Sequence, residues 1–212
     1  MLTVHHLGVS QSERIVWLCE ELGIPYALQR YERRADNRLA PPDYKALHPI
    51  GAAPVIADGD LVLAESGAVV EYLIHTHGGG RLAVPPGRPG YADYLYWFHF
   101  ANGTLQPAMV RAMLLRRAGV ADDNPVRVAA EDRMALALRA VDARLQLSDW
   151  LAGPELTAAD IMTVFSLSTM RNFLPFDVDA YPAIGRYLRR VGARPAYRRA
   201  MAKADPGLPP LA

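Results

Sequence analysis

The 212-residue chain carries a single cysteine, Cys19, so no intramolecular disulfide can form and a reducing compartment suits it. No apolar run approaches the ~20 residues that span a bilayer. The start, Met1-Leu2-Thr3-Val4-His5-His6, has neither a basic opening nor an apolar signal core. These absences point to a cytoplasmic protein without a membrane partner. Charge of one sign is lacking too: the formal net charge of +1 gives no bulk attraction to nucleic acid. A local basic group, Arg186, Arg189, Arg190 and Arg194, has the spacing of a solvated helix face. No Cys/His/carboxylate set has metal-ligand spacing, and His75 and His77 diverge if they lie on a helix, so no metal is expected. The Gly78-Gly79-Gly80 run lacks the lysine of a phosphate loop and follows a helical pattern rather than a strand.

What remains is the composition of a globular chain, 51% hydrophobic and 21% charged. Leu2 to His6 reads as a strand, and Ile15, Leu18, Cys19 and Leu22 share a helical face that stops at Gly23. Tyr26 to Tyr31 reads as a second strand and Pro42 to Leu47 as a short helix. Pro54 to Ala57 and Leu61 to Leu63 flank Asp58-Gly59-Asp60, a hairpin signal. Ser66 opens a third helix through Val69, Val70, Leu73 and Ile74. The order β-α-β-α-β-β-α predicts a small mixed sheet with helices packed on it. Gly78 to Pro89 is dense in glycine and proline, as a connection between domains would be. Beyond it the pattern is helical: Gly90 to Arg117, Val126 to Leu147, Tyr181 to Ala193 and Pro195 to Lys203. Thr157-Ala158-Ala159-Asp160 has the form of a capping box. The domains expected are 1–80, a linker over 81–89, and an all-helical domain over 90–212.

Three places offer chemistry. In the loop Leu7-Gly8-Val9-Ser10-Gln11-Ser12-Glu13-Arg14, hydroxyls lie where a helix start leaves backbone N–H groups unpaired. Such a loop caps the helix or binds an anion, and local sequence favours the cap. Pro54, before Val55, opens a strand where a missing N–H is tolerated, and sequence does not say whether its bond is cis. At Ala64-Glu65-Ser66-Gly67 a carboxylate, a hydroxyl and helix-start amides converge, either as a cap or as a holder of an amino acid's zwitterionic end.

Taken in order and spacing, these segments resemble the cytosolic glutathione transferase superfamily. Ser10-Gln11-Ser12-Glu13-Arg14 resembles its theta-like serine loop, which selects Ser10 over Ser12. His48-Pro49-Ile50-Gly51-Ala52-Ala53-Pro54-Val55 resembles the segment carrying the family's cis-proline, and Ala64-Glu65-Ser66 its γ-glutamyl motif. Tyr96 to Gly103 resembles the fourth helix of bacterial members, and Leu156 to Ile161 the buried capping motif. The resemblance implies a thioredoxin-like α/β domain with a mixed four-stranded sheet, joined to an all-α bundle. It implies a transferase using glutathione as co-substrate against a small hydrophobic electrophile, in detoxification, as a homodimer. Ser10 would be the catalytic hydroxyl. Pro54, Val55, Glu65 and Ser66 would bind glutathione. By spacing, His99 and Asn102, three apart, either share a helix face over the electrophile pocket or His99 packs between the domains.

The pattern departs from the family at Gly51-Ala52-Ala53-Pro54, which has no long polar side chain for glutathione's glycine carboxylate. Arg38, Lys45 and His48 are the nearby substitutes. Cys19 reads as a core residue, Arg14 as structural and His6 as a structural strand-end residue. The alternatives are a non-catalytic adaptor on the same fold, or another glutathione-dependent enzyme such as a peroxidase, dehalogenase or isomerase.

Overall fold

The computed structural model describes residues 1–209 and 211, and its chain divides into two compact units, Met1–Ala83 with the chain from Val191 onward, and Val84–Arg190.

In the first unit the elements are β1 (Leu2–Leu7), α1 (Glu13–Leu22), β2 (Ala27–Tyr31), α2 (Pro42–Lys45), β3 (Val55–Asp58), β4 (Leu61–Ala64) and α3 (Ser66–Thr76). The sheet order is β2-β1-β3-β4, with β1 parallel to β2 and antiparallel to β3, and β3 antiparallel to β4. This is the mixed four-stranded, thioredoxin-like sheet expected. Alternation along β1 sends Leu2, Val4 and His6 to one buried face. A core-facing histidine among aliphatic residues must find polar partners, and its partners define the site below.

Helix α1 buries Ile15, Val16, Trp17, Leu18, Cys19 and Leu22, and ends where Gly23 turns left-handed at φ +66°. Gly59 makes the β3–β4 hairpin, also at positive φ. On α1 lies α9 (Pro195–Ala204), whose Tyr197 ring meets Trp17 edge-on at 5.1 Å. Arg194 grips the Glu21 carboxylate bidentately at 2.6 and 2.8 Å, and Arg199 and Lys203 both reach Glu20. Residues 191–209, which the sequence assigned to the helical domain, therefore gather with the sheet. Helical periodicity shows that a segment is a helix but not which layer it covers.

The second unit contains α4 (Tyr91–Phe100), a π-helical turn over Ala101–Leu105, α5 (Gln106–Arg117), α6 (Pro125–Leu147) and α7 (Ala158–Leu167). The start of α8 (Pro182–Ala193) also belongs here. The long helical run expected from Gly90 is present, but a wider turn interrupts it. Every residue of α7 is buried, and the Thr157–Asp160 capping box is formed. Asp160 accepts from the N–H groups of Leu151 and Thr157 and from the Tyr187 hydroxyl. Burial nonetheless dominates these donors and pushes its carboxyl up to about 6.

Candidate functional site

The loop between β1 and α1 is held in a conformation that its sequence does not favour. Val9 sits at φ +52°, unfavourable for a β-branched residue, and two side chains brace it. Its N–H donates to Asp205 Oδ1 at 2.9 Å, from just beyond α9. Arg33 donates to the carbonyls of Gly8 at 2.8 Å and Val9 at 3.1 Å.

Ser10 follows, 4% exposed, with its hydroxyl turned inward. Ser10 Oγ donates to the Leu7 carbonyl at 2.6 Å, lies 2.7 Å from Ser12 Oγ, and accepts from the Ser12 N–H at 3.2 Å. Neither serine caps α1 in the usual way. Glu13, Arg14 and Ile15 instead donate to the carbonyls of Ser10, Gln11 and Ser12 in tight turns, which leaves both hydroxyls for other work.

Ser12 Oγ accepts from the Leu7 N–H at 3.1 Å and lies 2.9 Å from His6 Nδ1. His6 Nε2 lies 3.1 Å from Asp205 Oδ2. Ser10, Ser12, His6 and Asp205 thus form one buried hydrogen-bonded line. Burial alone would raise the Asp205 carboxyl. The His6 hydrogen bond and charge, the Val9 N–H and the Arg30 charge overcome that and hold it below the usual carboxylate value.

A second network joins the three motifs that the sequence singled out separately. The Ala53–Pro54 bond is cis. Gln11 Nε2 donates to the Ala53 carbonyl at 2.8 Å, while its Oε1 accepts from Arg14 Nη1 at 2.8 Å. The same Nη1 donates to Ser66 Oγ at 3.1 Å. Arg14, 1% exposed, is held down to about 9 by burial, opposed by the charge of Glu13, so it remains a cation at neutral pH. Ser66 is buried at the first turn of α3, behind an exposed Glu65 in the left-handed region at φ +72°. Val55 is buried, with its backbone in the sheet between β1 and β4.

Sequence reasoning read Arg14 as structural and gave Gln11 no role. Their spacing of three across the turn that enters α1 was the available signal. The partners of His6 were likewise missed.

The remaining candidates are placed as follows. In the second unit His99 is exposed at the last turn of α4, and Asn102 is half-buried inside the π-helical turn. The two straddle a change of helical period, so their spacing of three does not carry the α-helical relation the sequence implied. Near the proline, Lys45 is exposed and its stem packs against Gly51, and His48 Nδ1 accepts from the Ile50 N–H at 3.3 Å. Arg38 is exposed, at positive φ. Cys19 is fully buried, and burial pushes its thiol up to about 12. Among the described residues no group of three or more His, Cys, Asp or Glu is placed to hold a metal ion, and no helix is long and apolar enough to cross a membrane.

A thioredoxin-like sheet unit with a serine loop and a cis-proline, followed by a helical unit, defines a recognisable class. Residues 10–76 match the glutathione S-transferase N-terminal domain and residues 88–195 the glutathione S-transferase C-terminal domain. The chain belongs to the glutathione S-transferase family. Glutathione S-transferase 3 of Schizosaccharomyces pombe is 30% identical, over 97% of this chain and 88% of the relative. FtsZ-localized protein A of Caulobacter vibrioides is 28% identical, over 99% of this chain and 95% of its own. The crystal structure of a glutathione S-transferase from Actinobacillus pleuropneumoniae superposes with a TM-score of 0.87 at 34% identity, covering 97% of this chain and 93% of that one.

Proposed function

We propose that the protein is a glutathione transferase in which the Ser10 hydroxyl stabilises the glutathione thiolate for attack on a small hydrophobic electrophile. The observation that carries this reading is the Gln11–Arg14 network. It ties the serine loop, the carbonyl before the cis-proline, and Ser66 into one unit that also carries a buried positive charge.

An unperturbed thiol near pKa ~8.5 is about 3% ionised at pH 7; lowering it by about two units makes roughly three quarters of it thiolate. That requires ~2.7 kcal/mol of differential stabilisation. A hydroxyl hydrogen bond to an anion supplies about 1.5–3 kcal/mol, and the start of α1 adds a favourable dipole. Ser10 donates its hydrogen bond to sulfur and forms no covalent bond itself. The cysteinyl residue lies against Pro54 and Val55. The Glu65 carboxylate meets the γ-glutamyl ammonium, and Ser66 with the first amides of α3 meets its carboxylate, with Arg14 behind. His99 and Asn102 are the helical unit's candidates for contact with the electrophile. A homodimer in the reducing cytoplasm, with a role in detoxification, completes the proposal on family grounds.

The second reading is an adaptor that keeps the fold without catalysis. It is favoured by the similarity to FtsZ-localized protein A and by the missing side chain at Gly51-Ala52-Ala53. Calorimetric titration with glutathione, followed by rates with an aryl halide and an organic hydroperoxide, tests both. Saturable binding with turnover is expected, and the better electrophile separates alkyl or aryl transfer from peroxidase chemistry. No binding at millimolar glutathione would overturn the transferase reading in favour of the adaptor.

A further inference from the structure

A thiol that ionises inside a protein must place its proton somewhere, and the line Ser10–Ser12–His6–Asp205 offers a destination. We propose that the glutathione thiol passes its proton through Ser10 and Ser12 to Nδ1 of His6, where Asp205 holds the resulting imidazolium, so that thiolate forms without releasing a proton to solvent. This rests on the glutathione reading of the same site and adds to it a proton acceptor that no family match assigns.

The donor inventory fixes the direction. The Asp205 carboxylate only accepts, and one of its oxygens is taken by the Val9 N–H. Its other oxygen therefore accepts a hydrogen bond from His6 Nε2–H at 3.1 Å, which leaves Nδ1 of the ring as an acceptor. The Ser12 hydrogen then points to Nδ1 at 2.9 Å, and Ser12 Oγ is left to accept from the Leu7 N–H and from Ser10 at 2.7 Å. Ser10's single hydrogen has two acceptors in reach, the Leu7 carbonyl at 2.6 Å and Ser12 Oγ at 2.7 Å, and turning it from the first to the second points every hydrogen in the line toward His6. Ser10, Ser12 and His6 are respectively 4%, 0% and 0% exposed and Asp205 is 6% exposed, so the line runs inside the protein.

The transfer reverses each bond between the sulfur and His6, and the Leu7 carbonyl gives up the Ser10 hydrogen. The thiol S–H breaks as its proton binds Ser10 Oγ. Ser10's own hydrogen moves to Ser12 Oγ, and Ser12's moves to Nδ1. Afterwards His6 donates to Ser12, Ser12 to Ser10, and Ser10 to the sulfur anion, the orientation in which Ser10 stabilises a thiolate. One proton changes place, the net charge of the site is unchanged, and no co-reactant is needed.

Charged groups approach His6 from several elements. Asp205 faces it from beyond α9. Arg30 lies opposite it in the β1–β2 register, and with Arg33 acts on the Asp205 charge. Glu32 Oε2 and Asp205 Oδ1 flank Gly8, and Glu13 and Arg14 start α1 nearby in sequence. Within this set the Asp205 carboxylate is the charge in contact with the ring. His6 and Asp205 act on the sulfur only through the two serines.

The test counts protons against thiolate. Wild-type protein at pH 7 in weak buffer with a pH indicator is mixed with glutathione, thiolate being read by its ultraviolet absorbance. S-methylglutathione, which has no thiol proton, corrects for other groups. Wild type should release far less than one proton per thiolate, whereas Ser12→Ala, with the line cut, should release about one and form several-fold less thiolate. Ser12→Thr restores a hydroxyl and should restore proton retention, which a merely structural role for Ser12 would not require. A full proton released per thiolate in the wild type overturns the relay, and this needs no variant to fold. Absence of any thiolate signal overturns the glutathione reading itself.

Discussion

Replacing Ser10 with alanine removes one hydroxyl whose contacts are all known. The Leu7 carbonyl loses its donor at 2.6 Å and the Ser12 N–H its acceptor at 3.2 Å, while Ser12 Oγ keeps the Leu7 N–H and His6. The structural consequence is confined to the Leu7 carbonyl, the Ser12 N–H and the Ser12 hydroxyl, which loses its 2.7 Å partner, on the order of 1–2 kcal/mol. The consequence for a bound thiolate is the loss of a charge-assisted hydrogen bond of about 1.5–3 kcal/mol, one to two units in the thiol's pKa. A thiol titrating near ~6.5 would move to ~7.5–8.5, and its ionised fraction at pH 7 would fall from roughly three quarters to between a quarter and about 3%. The rate kcat/KM should drop by the same factor, about threefold to 25-fold, while the glutathione dissociation constant changes little because Glu65 and Ser66 are intact. Absorbance of bound glutathione against pH, in wild type and Ser10→Ala, reads the midpoint directly. An unmoved midpoint in a variant with unchanged circular dichroism and urea denaturation would remove Ser10 from the role assigned to it.

Ser66→Ala deletes the hydroxyl that accepts from Arg14 and would face the γ-glutamyl carboxylate, so calorimetry should show glutathione binding weakened about tenfold, ~1.4 kcal/mol. Cys19 is fully buried, with its thiol pushed up to about 12; its modification by an aromatic disulfide reagent should run at the rate of unfolding, and rapid labelling of native protein would contradict that placement. Asp160 titrates near 6 when folded against ~3.9 unfolded, so the folded protein binds this proton more tightly. Its contribution is fully present below pH ~4 and falls as pH rises to about 6, by about 3 kcal/mol. The stability difference between wild type and Asp160→Asn in urea should therefore shrink between pH 4.5 and pH 7, and a pH-independent difference would refute the raised value.

Much of the fold was legible because its signals are local. Gly23 and Gly59 occupy left-handed positions that glycine accepts freely, and each marked the end of an element correctly. The Thr157–Asp160 pair, three positions apart, announced a capping box, and the box formed. The π-helical turn at Ala101–Leu105 left no comparable mark, since one extra residue in a helical run keeps its composition. The placement of α9 was hidden for a different reason. Tyr197 and Arg194 find Trp17 and Glu21 across most of the chain's length, and no periodicity encodes a contact that distant.

The site shows the same division more sharply. Ser10, Pro54 and Glu65-Ser66 were visible because each sits at the end of an element, where backbone groups are unpaired and the choice of residue is constrained. What joins them was not visible, because Gln11, in the loop, and Arg14, at the start of α1, look ordinary until their partners, Ala53 and Ser66, are placed beside them. His6 was half legible: alternation in β1 puts it on the core face, and a buried imidazole demands two partners. One partner, Ser12, lies six residues away and was weighed only as a cap or as a rival to Ser10. The other, Asp205, lies beyond the last helix and does two jobs at once, pairing His6 and holding Val9 at its positive φ. The strained backbone before Ser10 and the acceptor of the proposed proton line thus depend on one carboxylate delivered by α9, which is why residues at the far end of the sequence belong with the sheet.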